Sequence, residues 1–265
     1  MKYSIVMAYH NRQFQLINSI ISISKSICKD IEIIIVDDNS REEQRIESII
    51  NRFPLLNIKI IRINEDEKKH VNPCIPYNMG FKKASGETVI IQNPECIHIG
   101  DILDYIDKNF KQGEYYAFGC YSLSEENTKR IDLSNTGSPD IITYMNKTLV
   151  KLPNVTATHD YANGWYNHSR HRPVGYHFVS CIKKQDLDEL GGFDERYANG
   201  IGWDDNEFLH RVKLKGLSVK IVDTPFAMHQ WHESNDASYK KGVVTYNTDL
   251  YKNVTLQSKN WRVNN

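Results

Sequence analysis

Short, wholly apolar runs that end abruptly in polar residues most limit what this chain can fold into. Tyr3 to Tyr9 (YSIVMAY) and Glu32 to Val36 (EIIIV) show no alternation of polar and apolar positions, so each reads as a strand buried on both faces. Between them Leu16, Ile17, Ile20, Ile21, Ile23 and Ile27 recur at helical spacing, a broad apolar stripe for a helix over 14–27. The second strand stops in Asp37-Asp38-Asn39-Ser40, whose Asn39 or Ser40 suits the cap of a helix over 41–53 that Pro54 ends. A third strand is expected over 58–63 and a short helix over 76–84, with Gly86 beyond it. A fourth strand over 88–92 is halted by Asn93-Pro94, followed by a helix over 101–110 and a fifth strand over 115–121. This alternation predicts an α/β fold with a mostly parallel central sheet flanked by helices. In such sheets ligands collect beyond the carboxyl ends of the strands.

From Leu123 to Arg172 the pattern dissolves into polar and aromatic residues, the expected place of a functional loop region. Order returns over 175–182 and 185–190, and a helix is expected over 204–215 with Gly216 as its stop. No repeat and no low-complexity linker divides the 265 residues, which fit one domain. Thirty-three basic residues balance thirty-three acidic ones, which argues against a polyanion such as nucleic acid as partner. The apolar runs are too short to span a bilayer, and MKYSIVMAYHNR meets His10, Asn11 and Arg12 too early for a signal peptide. The expectation is therefore a cytoplasmic protein without membrane insertion. Five scattered cysteines with no CxxC spacing argue against a disulfide framework or a cysteine zinc site.

Four polar clusters carry the chemistry. Asp38, at the end of the second strand, is placed to accept from a uracil N3–H or a ribose; the bland alternative for Asp37-Asp38 is helix capping. Asn93-Pro94-Glu95 follows the fourth strand, where a carboxylate can hold Mg²⁺ or Mn²⁺ against a diphosphate; the alternative is an idle loop acid. Trp203-Asp204-Asp205-Asn206-Glu207 opens a helix, where acids also simply complement the dipole; an acid beside an aromatic wall can serve as a general base. Ala227-Met228-His229-Gln230-Trp231-His232 offers an imidazole ligand, whereas the second HxxH, His168 to His171, reads as chance.

In order, SIVMAYHNR, IIIVDDNS, NMGFKKASGETVIIQNPE, GGFDERYANGIGWDDNEF and AMH resemble the GT-A glycosyltransferases of family 2. The second half is similar to the galactosyltransferase and N-acetylgalactosaminyltransferase group. The resemblance spans about residues 3 to 232 and implies a GT-A (Rossmann-like) fold: a single catalytic domain over 1–235, with a nucleotide-sugar half over 1–121 and an acceptor half over 122–235. A C-terminal helical tail over 236–265 follows. By resemblance, Ala8, Tyr9 and His10 lie against the nucleotide, Asp38 takes the uracil, and Asn78, Gly80, Asn93 and Pro94 back the nucleotide sugar. Glu95 and His229 are the implied metal ligands for Mn²⁺ or Mg²⁺, with Asp205 the base and Asp204 its acceptor-binding neighbour. The chain departs from the family in having Asn-Pro-Glu where a DxD is usual, and Asp204 in place of Glu.

The implied reaction transfers a hexose from a UDP-sugar (galactose, glucose or an N-acetyl form) to a glycan or glycoprotein hydroxyl, inverting the anomeric centre. Trp203, Trp165 and Tyr176, with Trp231, are candidates for stacking on sugar faces, core packing being the alternative for each. The competing reading is a catalytically weakened GT-A domain that binds nucleotide sugars or glycans.

Overall fold

The computed structural model describes residues 1–131, 152–159, 162–233, 241–263 and 265. The strands, in chain order, are β1 (Tyr3–Tyr9), β2 (Ile31–Asp38), β3 (Asn57–Ile63), β4 (Thr88–Gln92), β5 (Cys96–Ile99), β6 (Glu114–Ser122), β7 (Gly164–Asn167), β8 (Val179–Lys183) and β9 (Ser218–His229). The helices are α1 (Gln13–Ser24), α2 (Glu47–Ile50), α3 (Cys74–Lys83), α4 (Ile102–Asn109), α5 (Glu125–Lys129), α6 (Lys184–Leu190), α7 (Asp204–Leu214) and α8 (Lys241–Asn253).

Among the described residues the strands make one sheet in the order β3-β2-β1-β4-β8-β6-β9-β5, with β7 added to β6. The mostly parallel α/β sheet expected from the sequence is present: β1, β2, β3, β4, β6 and β9 run one way. Strands β5, β7 and β8 run against them. The unbroken apolar runs are explained by burial on both faces. Ile5, Met7, Tyr9, Ile33 and Ile35 join Leu16 and Ile20 of α1 in one core layer. Val6, Ile34 and Val36 join Phe81 of α3 and Phe208 of α7 in the other. Each such side chain contributes about 1.5–3 kcal/mol of burial.

One local expectation fails. The helix foreseen over 41–53 is a 3₁₀ turn at Glu42–Gln44 and one α-turn, α2, because Arg45 between them is extended. Gln44 is drawn out of the helix by tertiary partners: its carbonyl accepts from the buried Tyr9 hydroxyl at 2.6 Å and its side chain from Gln13 N at 3.1 Å. Strand β5 lies in a stretch to which the sequence pattern assigns no element, its four residues being too few for a periodicity signal. The irregular stretch over 123–172 holds α5 and β7, and its residues 132–151 and 160–161 lie outside the described residues. The tail begins its described part as α8, residues 236–240 also lying outside them. All five cysteines are free thiols.

Candidate active site

The β5–β9 ladder builds the first half of the site. Its register pairs Cys96 with His229, so Glu95, one residue ahead of β5, is brought beside the end of β9. Gln230 N donates to Glu95 O at 3.1 Å, and the Gln230 side chain bridges Glu95 O and Gln15 O of α1. The loop after β1 closes the cluster from the other side. Arg12 Nη1 donates to Glu95 Oε2 at 2.9 Å, while His229 Nε2 lies 3.1 Å and His232 Nε2 3.6 Å from Glu95 Oε1. Glu95, His229 and His232 are all buried. Burial opposes the Glu95 charge, but Arg12 and the two imidazoles outweigh it and hold the carboxyl well below the usual range. Burial, against the pull of Glu95, lowers the His229 pKa and keeps that ring neutral.

One carboxylate oxygen and two imidazole nitrogens, all within 4.8 Å of one another, form a donor set suited to a divalent transition metal. An ionised carboxylate and a neutral imidazole are the forms that ligate, so these residues fit a cation. Sequence reasoning named Glu95 and His229 and gave His232 the lesser part; the structure brings His232 in beside them. It missed Arg12, whose only signal was a cation after the first strand.

The second half lies at the start of α7. Trp203, with φ of +70°, turns the chain into the helix, and its ring stacks on Tyr251 at 4.6 Å while its Nε1 donates to Thr248 Oγ1 at 2.8 Å. Asp204 accepts from Asn72 Nδ2 at 2.9 Å. Asp205 Oδ1 lies 2.5 Å from Nδ1 of the buried His177 and also accepts, at 3.3 Å, from the His177 backbone N–H. Burial and the neighbouring Asp205 charge raise the Asp204 pKa. For Asp205, burial is outweighed by His177, and the pKa is lowered. Between the halves stands Tyr77, whose hydroxyl lies 3.1 Å from both Gln92 O and Asn93 Oδ1 and whose ring meets His177 edge-on at 5.5 Å.

The remaining sequence candidates divide by what holds them. Asp38 accepts from Lys68 Nζ at 2.9 Å and pairs with His70 Nε2 at 3.0 Å; despite burial, these partners lower its pKa. His10 Nδ1 lies 2.8 Å from Asp38 O. Ala8 is half-buried against the second core layer, and Tyr9 is fully buried in the first. Asn78 ties α3 to the loop after α6, donating to Phe193 O at 2.9 Å and accepting from Phe193 N at 2.8 Å. Gly80 packs against β1, and Pro94 is buried. Tyr176 is half-buried and its hydroxyl accepts from Asn206 at 2.7 Å. Trp165 is only 9% exposed, edge-on to Tyr121 and Phe226, so its ring is largely spent on packing.

The order of parts, from a parallel β1–β2 start to acids at the mouth of α7, matches a known family. A model of glycosyl transferase family 2 matches residues 4–166. The chain belongs to glycosyltransferase family 2. As a family 2 member it has a GT-A fold, and a second model, described as the N-terminal domain of galactosyltransferase, matches residues 167–233. An uncharacterized glycosyltransferase of Rickettsia bellii is 25% identical over 52% of this chain and 19% of its own length. The GalNAc(5)-diNAcBac-PP-undecaprenol beta-1,3-glucosyltransferase of Campylobacter jejuni is 27% identical over 51% of this chain and 43% of its own. The family 2 chain thus spans less than half the length of these relatives. Among solved structures, S. aureus TarS 1-349 in complex with UDP-GlcNAc is similar at a TM-score of 0.58 and 16% identity, covering 91% of this chain and 61% of that one. The mannosyltransferase PcManGT from Pyrobaculum calidifontis, in complex with GDP-Man and Mn2+, is similar at 0.53 and 13%, covering 88% and 58%. No described helix is long and apolar enough to cross a membrane.

Proposed function

We propose that this glycosyltransferase is inverting, takes a UDP-hexose as donor and uses Asp205 as its general base. The observation that carries the reading is Asp205 itself. It stands at the mouth of α7, about a third exposed, with Oδ1 held by His177 and Oδ2 accepting no hydrogen bond from the described residues. An ionised, oriented carboxylate with a free oxygen is what a hydroxyl nucleophile needs.

In the proposed step Asp205 Oδ2 takes the acceptor hydroxyl proton as that oxygen attacks the anomeric carbon. The bond from that carbon to the diphosphate oxygen breaks, UDP leaves, and the configuration inverts. Glu95, His229 and His232 would hold a divalent cation, Mn²⁺ suiting the imidazoles better than Mg²⁺. Bound there, the cation supplies positive charge to the leaving diphosphate. Arg12 keeps Glu95 ionised and adds a cation to the same cluster. Asp38 and His10 are proposed to receive the nucleotide, and Trp203 and Tyr176 to present faces to the acceptor sugar. A donor half over 1–121 and an acceptor half over 122–235 follow from the same assignment. A structural neighbour solved in complex with UDP-GlcNAc, and a relative named as a glucosyltransferase of a polyprenyl-linked glycan, support a UDP-sugar donor and a glycan hydroxyl as acceptor.

The test is UDP release from UDP-glucose, UDP-galactose, UDP-GlcNAc and UDP-GalNAc with Mn²⁺ present, followed by anomeric analysis of any transferred sugar. Turnover of one donor with inverted product is expected. A retained configuration overturns the single displacement, and tight binding of every donor with no turnover makes the domain a binding module.

A further inference from the structure

Behind Asp205 stands a buried imidazole, His177, that touches its carboxylate. His177 is 6% exposed on the loop entering β8 and lies between Tyr77 of α3 and Phe193, whose ring centroid is 4.8 Å away. Its backbone N–H and its ring both address the same carboxylate oxygen, Asp205 Oδ1, at 3.3 and 2.5 Å. An ionised carboxylate only accepts, so Nδ1 carries the proton and donates. Two donors on Oδ1 fix the rotation of the carboxylate and leave Oδ2 as the oxygen turned away from them. We infer that His177 is the positioning residue of the general base: it orients the Asp205 carboxylate and keeps it ionised for the acceptor hydroxyl.

The inference rests on the proposed role of Asp205 and deepens it. It is an arrangement in which a buried partner holds the reacting group in one orientation, with catalysis lost when that partner is removed although the reacting group remains. Among the described residues the charged and titratable groups that face the pair are these. Asp204 lies next to Asp205 on α7, Tyr77 faces the imidazole from α3, and the Tyr115 and Tyr176 hydroxyls and the Arg172 guanidinium sense the Asp205 charge. Burial alone would drive His177 neutral, but the Asp205 charge and hydrogen bond, with Asp204 adding to them, raise its pKa. Any loss of this partner returns the Asp205 carboxyl toward protonation, since burial then stands less opposed.

Two measurements test it. The first needs no turnover: the His177 imidazole is titrated by ¹⁵N-edited NMR in the parent and in Asp205→Asn, its signal assigned by its loss in His177→Asn. It is expected to titrate above the ordinary histidine value of about 6.5 in the parent and to fall by a unit or more in Asp205→Asn. A titration at or below the ordinary value, or one that Asp205→Asn does not move, overturns the pairing. The second follows UDP release from UDP-GlcNAc, with water or a supplied sugar as acceptor, across pH. His177→Phe is expected to lower kcat about 10- to 100-fold, part of the ~10²–10⁴ that a general base supplies, with KM for the donor within twofold. Its acid limb should move to higher pH. His177→Asn, whose side-chain amide can reach the place of Nδ1, should restore most of kcat. A kcat for His177→Phe within twofold of the parent overturns the positioning role, as does an equal loss in both variants with an unmoved acid limb and a lowered Tm. If Asp205→Asn keeps transfer, the base reading itself has failed, an outcome separate from normal turnover in His177→Phe with a dead Asp205→Asn. A parent that turns over no donor overturns the positioning role as well, while the NMR titration still decides the pairing.

Discussion

Asp205→Asn is the sharpest single-residue change in this protein, because the amide keeps the shape of the carboxylate while losing the capacity to take a proton. Transfer is expected to fall by about 10²- to 10⁴-fold with UDP affinity unchanged, measured by UDP release and by calorimetry on the same samples. Transfer within a few-fold of the parent would move the base to Asp204; Glu207 is no substitute, being buried and held by Arg211 at both oxygens. Asp38 poses a different choice. Its oxygens already hold Lys68 and His70, so it either receives the nucleotide or anchors these two side chains at the end of β2. If it receives the nucleotide, Asp38→Ala weakens UDP binding by about 1.5–3 kcal/mol, the worth of a hydrogen bond to a charged group. Unchanged affinity by calorimetry would assign it to holding Lys68 and His70. The sign with pH follows from its lowered pKa: its ion pair with Lys68 is complete above the ordinary carboxylate range and is lost as pH falls through the depressed value.

Helix α3 sits on β1 so closely that Gly80 has no room for a side chain. A Cβ there would come to 2.4 Å from Val6 Cγ1 and 3.3 Å from Val36 Cγ2, both on buried β-branched side chains with little freedom to yield. Gly80→Ala gains up to ~1 kcal/mol in helix propensity, yet overpacking of this kind costs about 1–3 kcal/mol, so net destabilisation is expected in urea unfolding. Equal stability would mean that α3 slides on the sheet without penalty. Gly80 was picked out through resemblance as part of the nucleotide-sugar segment; its contacts give it a packing task, and nothing in a lone glycine's spacing distinguishes the two. At the other end of β2, Glu32 shows how a strand start is fixed. Its buried carboxylate accepts from Ser4, from Ser85 and from Lys59, and although burial opposes the charge these partners lower its pKa to about 2. A depressed folded pKa means stabilisation that is complete above about 4.5 and fades as pH falls toward about 2. Glu32→Gln should therefore destabilise by about 1–3 kcal/mol at neutral pH, with the gap to the parent closing over that window. A gap that stays constant down to pH 2 would show that shape, not charge, anchors the strand.

At the scale of the molecule, what was legible in the sequence is what local pattern encodes. The doubly buried strands announced themselves because Tyr3–Tyr9 and Glu32–Val36 offer no polar face, and acids at strand ends are placed by the fold class alone. What stayed hidden depends on register and on neighbours far along the chain. That Glu95 meets His229 and His232 is decided by the Cys96–His229 pairing of a four-residue strand, and that Arg12 joins them by how α1 docks beside Gln230. His177 lies in VGYHFV, where a lone histidine carries no spacing signal, and only the approach of α7 gives it a partner. The metal prediction therefore belongs to this scale, since its three donors come from the ends of two strands and the loop beyond. If they act as one site, Mn²⁺ binding followed by EPR should weaken about tenfold or more in Glu95→Gln, His229→Ala and His232→Ala alike, and UDP release should stop in chelator and return with Mn²⁺. Glu95→Gln carries a second consequence, because it leaves the half-buried Arg12 guanidinium without its carboxylate and should also lower stability, read as a drop in Tm. The two imidazole variants lack that penalty, so a loss of Mn²⁺ affinity with an unchanged Tm in them isolates ligation from folding. Should His232→Ala bind Mn²⁺ as the parent does while His229→Ala does not, the site is a two-donor one and His232 serves only to hold Glu95. Transfer that persists in chelator, with none of the three altering cation dependence, would leave the diphosphate to Arg12.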